Sequence, residues 1–280
     1  MNNEQRIGWV NGSWELSKKL TIPLNDRAVN FGDGIFETIL ILDGNPQLLI
    51  DHLNRLERSA CLLKMANPPK RNWISNLINE GIEKAKLNKG AGAVRLNWSR
   101  GISFNRGINV TKDDKYSQNH NFWLEINPIE LSFENISTMI SKEEQRNSKS
   151  TINSVKTLNY LQSIQAKQEA QEHGFNDALL MSTTGEISCG TTANIIVKRE
   201  GQLLTPRLRS GCLPGIMRAQ GLKTGILKEA KISHRPEIGD QWLLINSLSC
   251  HSISKINNTD INNFEHCEKL WKSLLVIKNS

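Results

Sequence analysis

Apolar and polar positions alternate in short runs separated by turn residues, and only a few stretches carry helical spacing. Between Gly8 and Leu20 two such runs flank Asn11-Gly12, a pair suited to the positive φ angles of a tight hairpin. Residues 35–42 form a longer strand-like run. It is fed by Gly32-Asp33-Gly34, whose glycines predict a tight, non-standard backbone. Asp43-Gly44-Asn45-Pro46 then turns the chain into a second strand, expected over residues 47–50. Leu53, Leu56, Ala60 and Leu63 recur at helical spacing behind an expected N-cap at Asp51. Arg55 falls at the edge of that stripe, and the pattern leaves its direction open. A second helix is predicted over residues 72–87. A strand at residues 91–99 follows, running into a glycine-bearing basic loop at residues 100–107. Residues 112–121 read as polar and exposed, and 122–126 as a further strand.

Pro128 and its polar neighbours suit a crossover, dividing the chain into a smaller N-terminal α/β domain (residues 1–126), a linker (127–134) and a larger C-terminal domain (135–280). Early in the second domain the residues before Lys156 alternate as the end of a strand would. Leu158, Leu161, Ile164 and Ala166 recur at roughly helical spacing. Lys156 is therefore expected where a strand hands over to a helix. Strands are predicted at residues 177–181, 195–198, 202–204 and 241–245, with a turn at Thr184-Gly185. The segment from Thr205 to Arg218 is expected to lead into a helix that continues to about Glu229, and a last amphipathic helix is expected over residues 265–275. The glycine ahead of Ile216 leaves open backbone N–H groups, a place for an anion such as phosphate.

Composition narrows the possibilities. A chain of 280 residues is long enough for two domains, and 38% hydrophobic with 22% charged residues suits a globular chain, not a disordered or membrane-embedded one. The longest apolar runs fall far short of a bilayer's width, and the first residues lack a secretory pattern, so a cytoplasmic protein without membrane partners is expected. Five cysteines show no paired spacing and six histidines no ligand spacing, pointing to reduced thiols and no metal site. The net charge of +7 is compatible with nucleic acid or an anionic substrate. Its cations are spread along the chain without aromatic interleaving, which favours general solvation plus a few site arginines, with no nucleic-acid partner.

Several separated segments together resemble the class IV aminotransferase family, the pyridoxal-phosphate enzymes of fold type IV. They are DRAVNFGDGIFET, HLNRL, KTLNYL, EISCGTTAN, TPRL and GCLPGIMR, in the family's order over nearly the whole chain. The resemblance implies an α+β, two-domain fold whose larger domain carries a pseudo-barrel sheet, with pyridoxal 5′-phosphate as cofactor. It assigns Lys156 to the Schiff base and to acid–base work, Glu186 to the pyridine nitrogen and Arg55 to the phosphate. The backbone N–H groups of Ile216 and Met217 form a phosphate cup, completed from the segment holding Ser247 and Ser249, either of whose hydroxyls could reach. Tyr160 is placed near the cofactor's ring oxygen, and Asn194 is counted among the cofactor-binding residues. Thr38 is placed near the reacting lysine, and Arg100 or Arg106 at a substrate carboxylate. These roles are chemically coherent: a carboxylate beside the pyridine nitrogen keeps it protonated, and arginine matches phosphate bidentately.

Within the family the sequence leans toward the 4-amino-4-deoxychorismate lyases. Val29 stands where D-amino acid transaminases carry a tyrosine, and Asn105-Arg106-Gly107 replaces their Arg-x-His pair. The Tyr-x-Arg-Pro-like element of branched-chain transaminases is missing. The expected product pair is 4-aminobenzoate, a folate precursor, and pyruvate. A transaminase acting on branched-chain or D-amino acids is the alternative, and a non-catalytic binding protein on the same fold is a third reading. The family also implies a homodimer.

Overall fold

The computed structural model describes residues 6–103, 106–110 and 119–275. Asn105 and residues 112–118 of the expected polar stretch lie outside the described residues. The chain divides into two units, Met1–Glu130 with Lys156–Asn159, and Leu131–Val155 with Tyr160–Ser280.

In the first unit, β1 (Ile7–Val10) and β2 (Ser13–Leu16) form the expected hairpin, with Asn11 and Gly12 at φ 50° and 89°. A five-residue helix that periodicity did not show, α1 (Arg27–Phe31), is capped by the Asp26 carboxylate accepting from the Ala28 N–H. It ends at Gly32 in the left-handed region. There follow β3 (Gly34–Leu42), β4 (Asn45–Pro46), α2 (Leu49–Leu62), α3 (Arg71–Lys84), β5 (Ala91–Ser99) and β6 (Asn121–Pro128). These strands make a six-stranded antiparallel sheet in the order β2-β1-β6-β5-β3-β4. The strand expected at residues 47–50 is not formed. Leu48 turns into the left-handed region at φ 50° and α2 starts at Leu49, so Asp51 sits inside the first turn instead of capping it. There its charge still suits the helix N-terminus. Leu53, Leu56 and Ala60 are buried as the stripe requires, and Arg55 turns inward with them.

In the second unit the order is β7 (Ile136–Arg146), α4 (Leu161–Glu172), β8 (Asp177–Ser182), β9 (Ile187–Gly190), β10 (Asn194–Arg199), β11 (Gln202–Pro206), α5 (Ile216–Lys223), β12 (Leu227–Ala230), β13 (Gln241–Ile245), β14 (Cys250–Ile256), β15 (Thr259–Asp260) and α6 (Cys267–Leu275). The sheet runs β12-β11-β10-β13-β14-β7-β8-β9, and β9 pairs back onto β10. Six of its strands therefore close into the expected pseudo-barrel. Leu179, Ile187, Ile195, Val197, Trp242, Leu244 and Ile253 pack as one fully buried cluster, each side chain contributing roughly 2 kcal/mol.

Two helices differ from the periodicity. On α4, Leu161 and Ile164 are exposed, whereas Ser163, Ala166, Glu169 and Ala170 are buried. The reason is polar: Glu169 accepts from the Ser141 hydroxyl and the Lys142 N–H on β7, which turns that face inward. The helix expected to reach Glu229 stops at Lys223, because Gly225 takes φ +73° and the chain re-enters the sheet as β12 beside β11. Among the described residues, no helix is long and apolar enough to cross a membrane.

Candidate active site

The assigned residues divide between the two units. In the first, Lys156 does not mark a handover from strand to helix. β7 ends at Arg146, α4 starts only at Leu161, and Lys156 lies on an extended segment laid against β3. Phe36 donates its N–H to the Lys156 carbonyl at 2.9 Å, Leu158 donates to the Gly34 carbonyl at 2.9 Å, and Thr157 bridges Ile35. The glycines flanking Asp33 make room for this segment. A Cβ on Gly34 would lie 2.6 Å from Leu158 Cδ1, and one on Gly32 3.3 Å from the Asn159 backbone. The half-buried Lys156 thereby carries its Nζ to 4.3 Å from the centroid of the Phe36 ring.

Thr38 stands two residues beyond Phe36, on the same face of β3. Opposite Thr38 in the β3–β5 register is Arg95, whose guanidinium carbon lies 3.7 Å from the same Phe36 centroid. Its Nε donates to Asn97 Oδ1 at 2.9 Å. Alternation along β5 marks Arg95 only as outward-facing; the pairing register is what brings it to the lysine's ring.

On the other face of β3, Glu37 lies buried against α2. Arg55 donates to it through Nε and Nη2, both at 2.7 Å, and His52 Nδ1 lies 2.7 Å from Glu37 Oε2. Burial alone would raise the Glu37 pKa, but the Arg55 charge and the hydrogen bonds from Arg55 and His52 prevail and hold it at about 2. Burial, aided by the charges of Arg55 and Lys156, pushes His52 down against the pull of Glu37. His52 is therefore neutral at pH 7, with Nδ1 as the donor toward an ionised carboxylate. The Glu37 pair occupies the guanidinium edge that a bidentate phosphate contact would use. Neither Glu37 nor His52 was singled out by pattern; Glu37 shares a face of β3 with Ile35 and Ile39, and the partner that makes its burial tolerable is Arg55.

The structure overturns the assignment of Arg100. It is buried, its Nε donates to Asp33 Oδ2 at 2.9 Å, and its Nη atoms donate to the Leu63 and Lys64 carbonyls. With every nitrogen of its guanidinium inside the fold, it is a structural cation. Arg106 is exposed.

In the second unit, Glu186 follows the β8–β9 turn and is 3% exposed. Its Oε1 accepts from the Thr184 hydroxyl at 3.0 Å, and Thr184 in turn lies 2.8 Å from the Ser182 hydroxyl. Its buried Oε2 has no hydrogen-bond partner among the described residues. Such an oxygen is costly to leave unmatched, and a protonated pyridine nitrogen is the kind of donor it lacks. Helix α5 opens at Ile216 without a side-chain cap, so the N–H groups of Ile216 and Met217 have no intrahelical acceptor. Asn194 shapes the approach: its Nδ2 donates to the Leu213 carbonyl at 2.9 Å, and a Cβ on Gly215 would fall 1.9 Å from its Oδ1. A methyl there would have to push the Asn194 side chain aside. Buried Arg218, unassigned by pattern, secures the helix by donating to the Pro206 carbonyl and pairing with Glu229.

The Ser247–Ser249 turn is organised by Asn246, whose Oδ1 accepts from the Leu248 and Ser249 N–H groups and from the Ser249 hydroxyl. Ser247 and Tyr160 are half-buried, Tyr160 directly ahead of α4. Taken unit by unit, an amine over an aromatic ring, a buried carboxylate oxygen lacking a donor and an uncapped helix start fit pyridoxal 5′-phosphate.

A sequence model described as amino-transferase class IV matches residues 34–256. A putative branched-chain-amino-acid aminotransferase of Methanocaldococcus jannaschii is 30% identical over 211 residues, covering 75% of this chain and 71% of that protein. The aminodeoxychorismate lyase of Bacillus subtilis is 26% identical over 210 residues, covering 75% and 70%. The solved structure of a putative 4-amino-4-deoxychorismate lyase from Legionella pneumophila superposes with a TM-score of 0.81 at 23% identity, over 91% of this chain and 94% of that one.

Proposed function

The chain belongs to the class IV aminotransferase family, whose members work with pyridoxal 5′-phosphate, and from that premise we propose that it is a lyase converting 4-amino-4-deoxychorismate into 4-aminobenzoate and pyruvate. The observation that carries this reading is the pair of cations over one ring, Lys156 and Arg95 on Phe36. An α-amino acid holds its carboxylate one carbon from its amine, whereas this substrate holds its ring carboxylate across a six-membered ring from its amine. A flat aromatic surface with the reacting lysine and a separate guanidinium over it suits the second shape. Similarity to the Bacillus and Legionella proteins agrees with this reading.

Bound cofactor supplies an electron sink. Lys156 Nζ removes the proton from the ring carbon that bears the substrate's nitrogen. The ring–oxygen bond to the enolpyruvyl group breaks and the ring becomes aromatic. Lys156 then returns a proton to the methylene carbon of the departing fragment, which leaves as pyruvate. In the first unit Thr38 would orient the lysine and Arg55 is proposed as a cation for the phosphate; in the second Glu186 would hold the cofactor's ring nitrogen, and Ile216, Met217 and the Ser247–Ser249 turn would receive its phosphate. Arg95 and Arg106 meet substrate carboxylates.

Transamination of branched-chain or D-amino acids is the second reading, favoured by the identity to the Methanocaldococcus protein. Incubating the purified enzyme with aminodeoxychorismate should release pyruvate and 4-aminobenzoate in equal amounts. Amino transfer from branched-chain or D-amino acids to a 2-oxo acid, with no pyruvate from aminodeoxychorismate, would reverse the choice. The enzyme is proposed to act as a homodimer. Exposed Leu24, Val29 and Phe31 of the first unit support self-association, which sedimentation velocity tests.

A further inference from the structure

Arg27 is 6% exposed and shares a single acceptor, Asp33 Oδ2, with Arg100. The backbone fixes the same three residues. Arg27 donates its N–H to Gly101, Asp33 donates to the Arg27 carbonyl, and Arg100 donates to the Asp33 carbonyl. Two buried guanidiniums on one carboxylate leave an excess cation, which main-chain carbonyls answer. Arg100 turns its outer nitrogens to Leu63 and Lys64 at the end of α2. Arg27 turns its own to the carbonyls of Ile108 at 3.2 Å and Asn109 at 3.4 Å, on the far side of the basic loop. The near side is pinned separately, by the Ser103 N–H on the Asn25 carbonyl and the bridge between Asp26 and Ile102. Residues 106–110 are exposed, and Arg106 is the cation they carry.

We infer that Arg27 is a positioning residue for substrate capture: through the Ile108 and Asn109 carbonyls it sets where Arg106 stands, so that Arg106 meets a substrate carboxylate. This rests on the proposed reading of an anionic substrate, and it gives Asp33 the task of aiming the Arg27 fork. A guanidinium is needed because one planar group must face a carboxylate on one edge and two carbonyls on the other. An ammonium keeps the charge but cannot span them.

Arg27→Lys is the test variant, with Arg106→Ala and the double variant beside it. Arg27→Lys should raise the KM for aminodeoxychorismate roughly tenfold, with kcat within about twofold and the cofactor absorbance unchanged. In the Arg106→Ala background the same change should add nothing to KM. Equal KM increases in both backgrounds, or no increase in either, would overturn the inference. A second readout does not depend on the reaction: tryptic cleavage after Arg106 should quicken roughly tenfold in Arg27→Lys while the thermal midpoint holds, and an unchanged rate sinks the loop-positioning claim. If the wild type transfers amino groups instead of forming pyruvate, the lyase reading fails by itself. The KM comparison is then run with the amino donor, and the cleavage rate still decides whether Arg27 holds the loop.

Discussion

The acids Glu37 and Asp33 of the first unit are answered by cations, whereas buried Glu186 in the second is not among the described residues, although Arg218 on α5 is paired with Glu229. Glu37 meets Arg55 and His52, and Asp33 meets Arg27 and Arg100. In the second unit Glu186 keeps a buried oxygen without a donor among the described residues, and α5 opens without a side-chain cap. Mutual pairing fixes a shape. An unanswered group marks where a ligand's own charge would lower the free energy of the folded state. The first region thus aims side chains, and the second is built to receive.

The strongest test of that contrast is Lys156→Ala. Turnover should fall by a thousandfold or more, on the order expected when both covalent attachment and proton transfer are lost, and the borohydride-sensitive yellow absorbance should vanish. Retained absorbance would place the attachment on another amine.

Next comes the satisfied cluster. Glu37→Gln leaves the Arg55 charge buried without its counter-ion and should cost about 3–5 kcal/mol in chemical denaturation. In the wild type, acid should find the same weak point. Glu37 falls from an ordinary 4.5 to about 2 on folding, so its contribution, roughly 3 kcal/mol, is complete above about pH 4.5 and disappears as pH drops toward 2. His52 is also lowered, so the unfolded chain takes up its proton first, and stability begins to fall below about pH 6.5. A denaturation midpoint that stays flat from pH 7 to 4 would contradict the buried, neutral histidine.

Glu186→Gln probes the unsatisfied side. It keeps volume and the Thr184 contact but removes the charge, and kcat should drop roughly a hundredfold with a shifted cofactor spectrum and little loss of apoprotein stability. Intact turnover would move the ring-nitrogen role to a different group of the second unit. The smallest effect is expected from Gly215→Ala. Its new methyl displaces Asn194 from the approach to α5 and should weaken cofactor affinity roughly tenfold by fluorescence titration.

How much of this was legible beforehand follows from what each signal measures. The Asn11-Gly12 hairpin, the strand after Gly34 and the helix after Gly215 were readable, because turn chemistry and glycine act locally. The family motifs brought Lys156, Glu186 and the Ile216 helix start into view together. Partners were not readable. Spacing along α2 left Arg55 at an edge, and only the β3–α2 contact shows it turned onto Glu37. Arg100 looked available to substrate because nothing local says that Asp33, far away in sequence, claims it. Leu161 and Ile164 set the expected face of α4, yet a buried Glu169 with two donors waiting on β7 rotated it. Arg95 escaped notice because strand register is a property of two strands.

The ring of strands in the second unit has a seam. Its closure passes through one residue pair, Cys189 and Asn194, and the same asparagine anchors the Leu213 carbonyl on the lead-in to α5. Thermal breathing of the ring should start at that stitch and loosen the helix start with it. Phosphate docked on α5 would then act as a clasp, slowing amide exchange around Asn194 well before it changes the global melting point.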